Sequence, residues 1–324
     1  MTLFKFNFFA GLLACAVGIS SCSHEYPEDN EDYCIGDLSK VHKVSVHIDI
    51  TDNMIQDEPV VIPEKVRSTY ATPRLRYTAV ATRPGSNEII SKACSTEPDV
   101  ELKLPIGKVE ISAWVDYAAP ESTRNTYYFN DVWNEILVYS KDDYQSNNRY
   151  KAAFWGKEKF ALTATTSLVD VKVSNATALL EVYATDDKDA YAKTVQFQYS
   201  PRVPAAINGF TGKVSYWWAD CGWKSDLKPK PAISTHGILL GYDYIPTDEV
   251  GNTVKLKVTI RDSDGNILAR KMPFEIPIKR GHITTVKAPF FSILEEDPDD
   301  KPTNENSGIG IDPSYNPDVI ITLD

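Results

Sequence analysis

The chain has 324 residues, 42% of them hydrophobic and 24% charged. That is room for about two domains of ~100–200 residues, and it excludes a disordered or fibrous polymer. A formal charge of −11 argues against a nucleic-acid partner, because a phosphate backbone calls for a basic face.

Residues 8–19 (FFAGLLACAVGI) form a 12-residue apolar run. It is too short to cross ~30 Å of hydrocarbon as a mature helix but suits the apolar stretch of a signal peptide. The run ends in Ile19-Ser20-Ser21-Cys22, which looks like a lipobox: small residues before a cysteine that takes lipid and becomes the new N-terminus. Leu13-Ala14-Cys15 is a rival, and ordinary signal-peptidase cleavage beside an incidental cysteine is the plainer alternative. The expectation is a signal peptide over 1–21, lipid on Cys22 and an acidic tether over 22–40; losing Lys5 with the signal takes the charge from −11 to −12. Of the other cysteines, Cys34, Cys94 and Cys221 stand at wide, irregular spacings, which permit one disulfide but describe no disulfide framework or zinc site.

Strict alternation of apolar and polar residues then dominates. Val44, Val46, Ile48 and Ile50 read as a half-buried strand, as do Val109, Ile111, Ala113 and Val115. Further strands are expected over 75–82, 102–106, 169–173, 179–184, 195–199, 214–218, 238–244 and 283–288. Val254, Leu256, Val258 and Ile260, the turn Asp264-Gly265, and then Phe274, Ile276 and Ile278 predict a hairpin. Short helices have room only at 131–139 or 187–193. Many short strands separated by turns mean an all-β chain of sandwiches or partly closed barrels. The small, polar stretch 161–167 (ALTATTS) is the best junction, predicting domains over 41–166 and 167–294. Residues 295–306 (EEDPDDKPTNEN) read as a solvated acidic linker. Beyond it, 307–324 end in an apolar, β-prone segment whose Val319, Ile321 and Leu323 share one face at period two. Such a segment either completes its own sheet or adds to the sheet of another subunit.

Catalytic patterns are not found: no G-x-S-x-G, H-E-x-x-H, phosphate loop or paired CxxC is present, so neither an enzyme, a cofactor nor a metal site is expected. His42 and His47, five apart on a strand, point to opposite faces and cannot share a metal. Residues 262–266 (DSDGN) resemble the start of a calcium loop, but Pro273 stands where its bidentate Glu belongs, so a hairpin turn is expected. The cluster Trp217, Trp218 and Trp223 either offers an aromatic platform to sugar rings or a partner protein, or covers the edge of a core.

Taken together, Ser21-Cys22, Trp114-Val115-Asp116-Tyr117, Tyr127-Tyr128, 147–154 (NNRYKAAF), 276–286 (IPIKRGHITTV) and 308–313 (GIGIDP) resemble the fimbrillin-like outer-membrane lipoproteins, relatives of the subunits and anchors of type V pili. The resemblance implies two tandem transthyretin-like β-sandwich domains, an outer-membrane anchor through lipid on Cys22, and assembly with other pilin-like subunits by strand exchange. It also implies cleavage by a trypsin-like protease beyond the first strand; the matching stretch is 51–71, with Arg67 the natural candidate and Arg74 and Arg76 nearby alternatives. Anchor subunits keep lipid and first strand. The function so implied is that of a pilus subunit or anchor supporting adhesion to host or microbial surface glycans or proteins; the alternative is a surface carbohydrate-binding lipoprotein using the tryptophans.

Overall fold

The computed structural model describes residues 40–51, 73–119, 123–139, 141, 144, 146–229, 231, 233–297 and 319–322. Its strands, in chain order, are β1 (Val41–Ile50), β2 (Arg74–Thr82), β3 (Ile89–Ser95), β4 (Asp99–Pro105), β5 (Gly107–Ala118), β6 (Tyr128–Phe129), β7 (Ile136–Val138), β8 (Phe154–Leu162), β9 (Leu168–Asn175) and β10 (Thr177–Ala184). They continue as β11 (Thr194–Tyr199), β12 (Arg202–Ile207), β13 (Val214–Ala219), β14 (Gly222–Asp226), β15 (Ile233–Ser234), β16 (Gly237–Pro246), β17 (Asn252–Arg261), β18 (Ile267–Ile278), β19 (Ile283–Ala288) and β20 (Val319–Thr322). One turn of 3-10 helix, Arg149–Lys151, is the helical element among the described residues. The fold is all-β, and the helices allowed for at 131–139 and 187–193 are replaced by turns and β7.

Seven strands make the first sheet, in the order β3-β2-β5-β8-β9-β1-β4. Its two outer strands, β3 and β4, are separated in the chain by residues 96–98 alone, and Lys103 N donates to Ser91 Oγ across them at 3.3 Å. So short a link draws the two edges together, and the sheet curls into a near-barrel. Inside it lie Val44, Val46, Ile48, Leu102, Leu104, Val109, Ile111 and Val171. The alternation read from the sequence is what fills it, one buried residue every second position along β1 and β4. Gly156 of β8 is needed where β9 crosses: a Cβ there would stand 1.9 Å from Lys172 O.

Three further sheets enclose a second core: β15-β16-β10-β19-β20, β14-β11-β17-β18 and β13-β12-β7-β6. Phe197, Tyr199, Leu180, Val258, Phe274 and Trp218 are buried within it. The sheets do not divide at residue 167. Residues 163–166 form the β8–β9 turn, β9 pairs with β1 and β8 in the first sheet, and β7 reaches forward to β12. The β17–β18 hairpin is closed by Asp262, whose carboxylate accepts from the backbone N–H of Asp264 (2.9 Å) and Asn266 (2.8 Å), so DSDGN is a turn.

The acidic linker begins later than its composition predicts. Glu295 is fastened to Lys271 Nζ (2.6 Å) and to the backbone N–H of Met272 (2.6 Å), and Asp297 pairs with Lys257 and with Arg270 (3.8 Å). These cations on β17 and β18 hold the first acidic residues against the sheet; residues 298–306 lie outside the described residues.

Candidate functional site at the sheet edge

The five-stranded sheet ends in β19 and β20, and both pairings of β19 are parallel. On one side it runs with β10, from Leu179 opposite Ile283 to Ala184 opposite Ala288. On the other it carries β20, with Val319 opposite Thr284, Ile320 opposite Thr285, Ile321 opposite Val286 and Thr322 opposite Lys287. Thr284 and Val286 are buried, so β20 lies along the rim of the second core. Among the described strands β19 is its one neighbour, and its outer edge is unpaired. Of the expected set, Val319 and Ile321 stand in this strand and Leu323 lies outside the described residues.

The first strand is placed differently. β1 is interior to its sheet, antiparallel to β4 and parallel to β9, with Val46 opposite both Val100 and Val169. His47 Nδ1 meets Asp99 Oδ1 at 2.8 Å on one flank and His42 Nε2 meets Thr166 O at 3.1 Å on the other. The chain leaves the description after Thr51 and returns at Pro73, so Arg67 lies outside it, as does Cys22.

The other two arginines part company. Arg74 opens β2 with its side chain exposed. Arg76 has none of its surface exposed: Nε donates to Asp116 Oδ1 (2.7 Å) and Nη2 to Oδ2 (2.5 Å), while Nη1 reaches Thr123 O (3.1 Å) and Asn125 Oδ1 (2.7 Å). A protease cannot take such a residue from the folded chain, so Arg76 leaves the set of maturation sites.

The tryptophans do not form a platform. Trp218 and Trp223 are both 8% exposed, and Trp223 stacks on Phe197 with ring centroids 4.5 Å apart. Trp217 is half-buried beneath the Arg202 guanidinium, 4.9 Å from its ring centroid. The exposed aromatic pair is Phe129 with Tyr139, stacked at 4.7 Å, which alternation does not single out because Phe129 lies in the two-residue β6 and Tyr139 just after the three-residue β7. Cys94 is an exposed free thiol and Cys221 a buried one. Among the described residues no three metal-binding side chains converge, and no helix is long and apolar enough to cross a membrane.

A buried polar cluster ties the two halves of the chain together. Lys151, 1% exposed, places Nζ 2.6 Å from Asp243 Oδ1, and Asp243 on β16 has no exposed surface. The other oxygen, Oδ2, accepts from Tyr144 Oη (2.7 Å) and Tyr199 Oη (2.9 Å), and Lys151 Nζ also lies 4.0 Å from the Tyr144 ring centroid. Burial first, then the Asp243 charge, drives both phenols well above their ordinary range, so they remain O–H donors. The same two causes push the Cys221 thiol up to about 12. The sequence holds one signal of this cluster: Lys151 and Asp243 are each a lone charge in an apolar run, Tyr150–Phe154 and Ile238–Ile245.

In fold the chain is similar to several solved proteins. One is a candidate adhesin from Bacteroides ovatus (10% identity, 88% of this chain and 98% of that one, TM-score 0.43). Another is the fimbrial anchor protein Mfa2 from Porphyromonas gingivalis (10% identity, 71% and 82%, TM-score 0.39). A third is a fimbrial assembly protein from Parabacteroides distasonis (13% identity, 76% and 91%, TM-score 0.36). No curated protein matches the sequence. Residues 69–323 match a family described as one of unknown function (DUF6562), and the match runs from the residues before β2 to β20 at the other end: the chain belongs to that family.

Proposed function

We propose that this chain is a cell-surface lipoprotein held in the outer membrane by lipid on Cys22, and that it acts as a fimbrillin-like pilus subunit or anchor supporting adhesion. Its neighbours are joined by strand exchange, and its two cores correspond to the two transthyretin-like units of such subunits. What carries the reading is β20: a terminal strand of four residues, on the rim of the second core, with β19 as its neighbour. A strand of that kind satisfies a row of backbone groups and covers apolar side chains wherever the matching groove is offered, in its own molecule or in another.

The acceptor groove is the place held by β1. Val44, Val46 and Ile48 are each at most 2% exposed, and burying such side chains is worth ~1.5–3 kcal/mol apiece. Their joint contribution, ~5–9 kcal/mol, is comparable with the ~5–15 kcal/mol stability of a whole domain. A chain that loses β1 by cleavage at Arg67 or Arg74 must therefore have the vacancy filled, and Val319, Ile321 and Leu323 supply the same period-two set. A chain that keeps β1 with its lipid serves as an anchor. The sugar-binding alternative is not carried forward, since two of its three rings lie in the core.

Deleting residues 307–324 tests the reading. The truncated protein is expected to stay folded and soluble, and to run as a monomer by size exclusion and electron microscopy where the full chain forms polymers. Unchanged polymerisation of the truncated chain overturns it.

A further inference from the structure

Lys151 and Asp243 are more than an ion pair in their setting. The ammonium and carboxylate meet at 2.6 Å with essentially no solvent exposure, 92 positions apart in the chain. Burying two charges costs several kcal/mol that their attraction only partly recovers. A hydrophobic pair of similar size would hold this position with less cost. What the geometry adds is reactivity: a nucleophile on one oxygen of a carboxyl group, and two protonated phenols on the other.

We propose that Lys151 and Asp243 condense spontaneously to an intramolecular isopeptide bond. One ammonium proton first passes along the 2.6 Å hydrogen bond to Asp243 Oδ1, leaving an amine beside a carboxylic acid. Nζ attacks Cγ, and the negative charge that develops on Oδ2 is received by the hydrogen bonds from Tyr144 and Tyr199, fixed in place before the reaction begins. A second Nζ proton passes to the Oδ1 hydroxyl, the Cγ–Oδ1 bond breaks, and one water leaves. The third proton stays on the amide nitrogen. The overall change is ammonium plus carboxylate to amide plus water, with no oxidant, reductant or activating group. Cys221, whose thiol is held protonated by burial and by the Asp243 charge, does not compete as nucleophile.

The bond joins two pieces of structure that hydrogen bonds otherwise hold together. Lys151 stands just before β8 of the near-barrel, and Tyr128 Oη donates to its carbonyl at 2.7 Å. Asp243 is on β16, in the sheet that ends at β20. A covalent link between them carries tension from one core to the other without loading the strand ladders. That mechanical role rests on the fibre reading, whereas the bond itself does not.

The test is peptide mass spectrometry of the mature wild-type chain, purified folded as judged by near-ultraviolet circular dichroism, then denatured and digested. The Lys151 and Asp243 peptides are expected as one branched species, lighter than their sum by one water, and Lys151→Met is expected to abolish it. Recovery of the two wild-type peptides separately, at full mass, overturns the proposal. The measurement needs no polymer, so failure of the fibre reading leaves it standing, and no variant has to fold for the decisive outcome to be read.

Discussion

Arg76 and Asp116 face each other from neighbouring strands of the near-barrel, with two hydrogen bonds between them and no exposure of either side chain. Removing one partner strands the other as an uncompensated charge in the core. Arg76→Met is expected to cost ~3–5 kcal/mol in urea unfolding, and Arg76→Met with Asp116→Leu much less, because the second change removes the orphaned carboxylate. Glu110 is a second buried carboxylate, 4% exposed, between Lys157 and Lys159. Burial alone would raise its pKa; the hydrogen bond and charge of Lys157, then of Lys159, more than offset this and leave it below its ordinary value of 4.5. The folded state thus favours the ionised form. Its contribution is fully present above about pH 4.5 and is lost as the pH falls through the lower folded value. Glu110→Gln is expected to flatten that acid decline in a series of unfolding midpoints between about pH 5 and 2, leaving the neighbouring carboxylates' share unchanged. Neither partnership is visible in the sequence, where Arg76 looks like a nearby alternative to Arg67 as a cleavage site.

At the scale of strands, β1 and β20 differ in what each has to lose. β1 has ten residues, two neighbours and three side chains sealed in a core, and its removal breaks the sheet between β9 and β4. β20 has four residues and, among the described strands, pairs with β19 alone, each ladder hydrogen bond contributing ~0.5–1.5 kcal/mol net. This is why truncation at the C-terminal end is expected to spare the folded monomer while removing the joining strand of the proposed assembly. Alternation made β1, β5, β17 and β18 legible: β1 and β17 bury one face on the pleat, β18 has a hairpin turn beside it, and β5 alternates in sequence although both its faces are buried. β12 was not legible: Pro204 interrupts its run, and the register against β13 shifts between Pro204 and Ala206, where the missing N–H would have to pair. β3 carries no alternation because it lies at a rim with neither face sealed, and β6 and β7, of two and three residues, exist only through their partners.

For the whole molecule, the sequence divides at 161–167 and the sheets do not. A polar stretch of small residues marks a turn as well as it marks a junction, and here it joins β8 to β9 within reach of the same barrel. If Cys22 takes lipid, Cys22→Ser is expected to move the protein from the outer-membrane fraction to a soluble one without changing its circular dichroism. The mature N-terminus then distinguishes roles: lipidated Cys22 marks an anchor or precursor, and Ser68 a subunit matured at Arg67.

The amino-acid sequence by itself determined that the chain is all-β, where most of its longer strands run, and that residues 319–322 are a β-prone segment. Those properties follow from nearest-neighbour patterns, since a strand's two faces alternate along the chain whatever it pairs with. Only the tertiary structure decided that β3 and β4 come together in a near-barrel, that β20 lies parallel to β19, that Arg76 and two tryptophans are sealed away, and that Lys151 meets Asp243 across 92 positions. Each of these is set by which distant strands come together, and a local pattern holds no record of that choice.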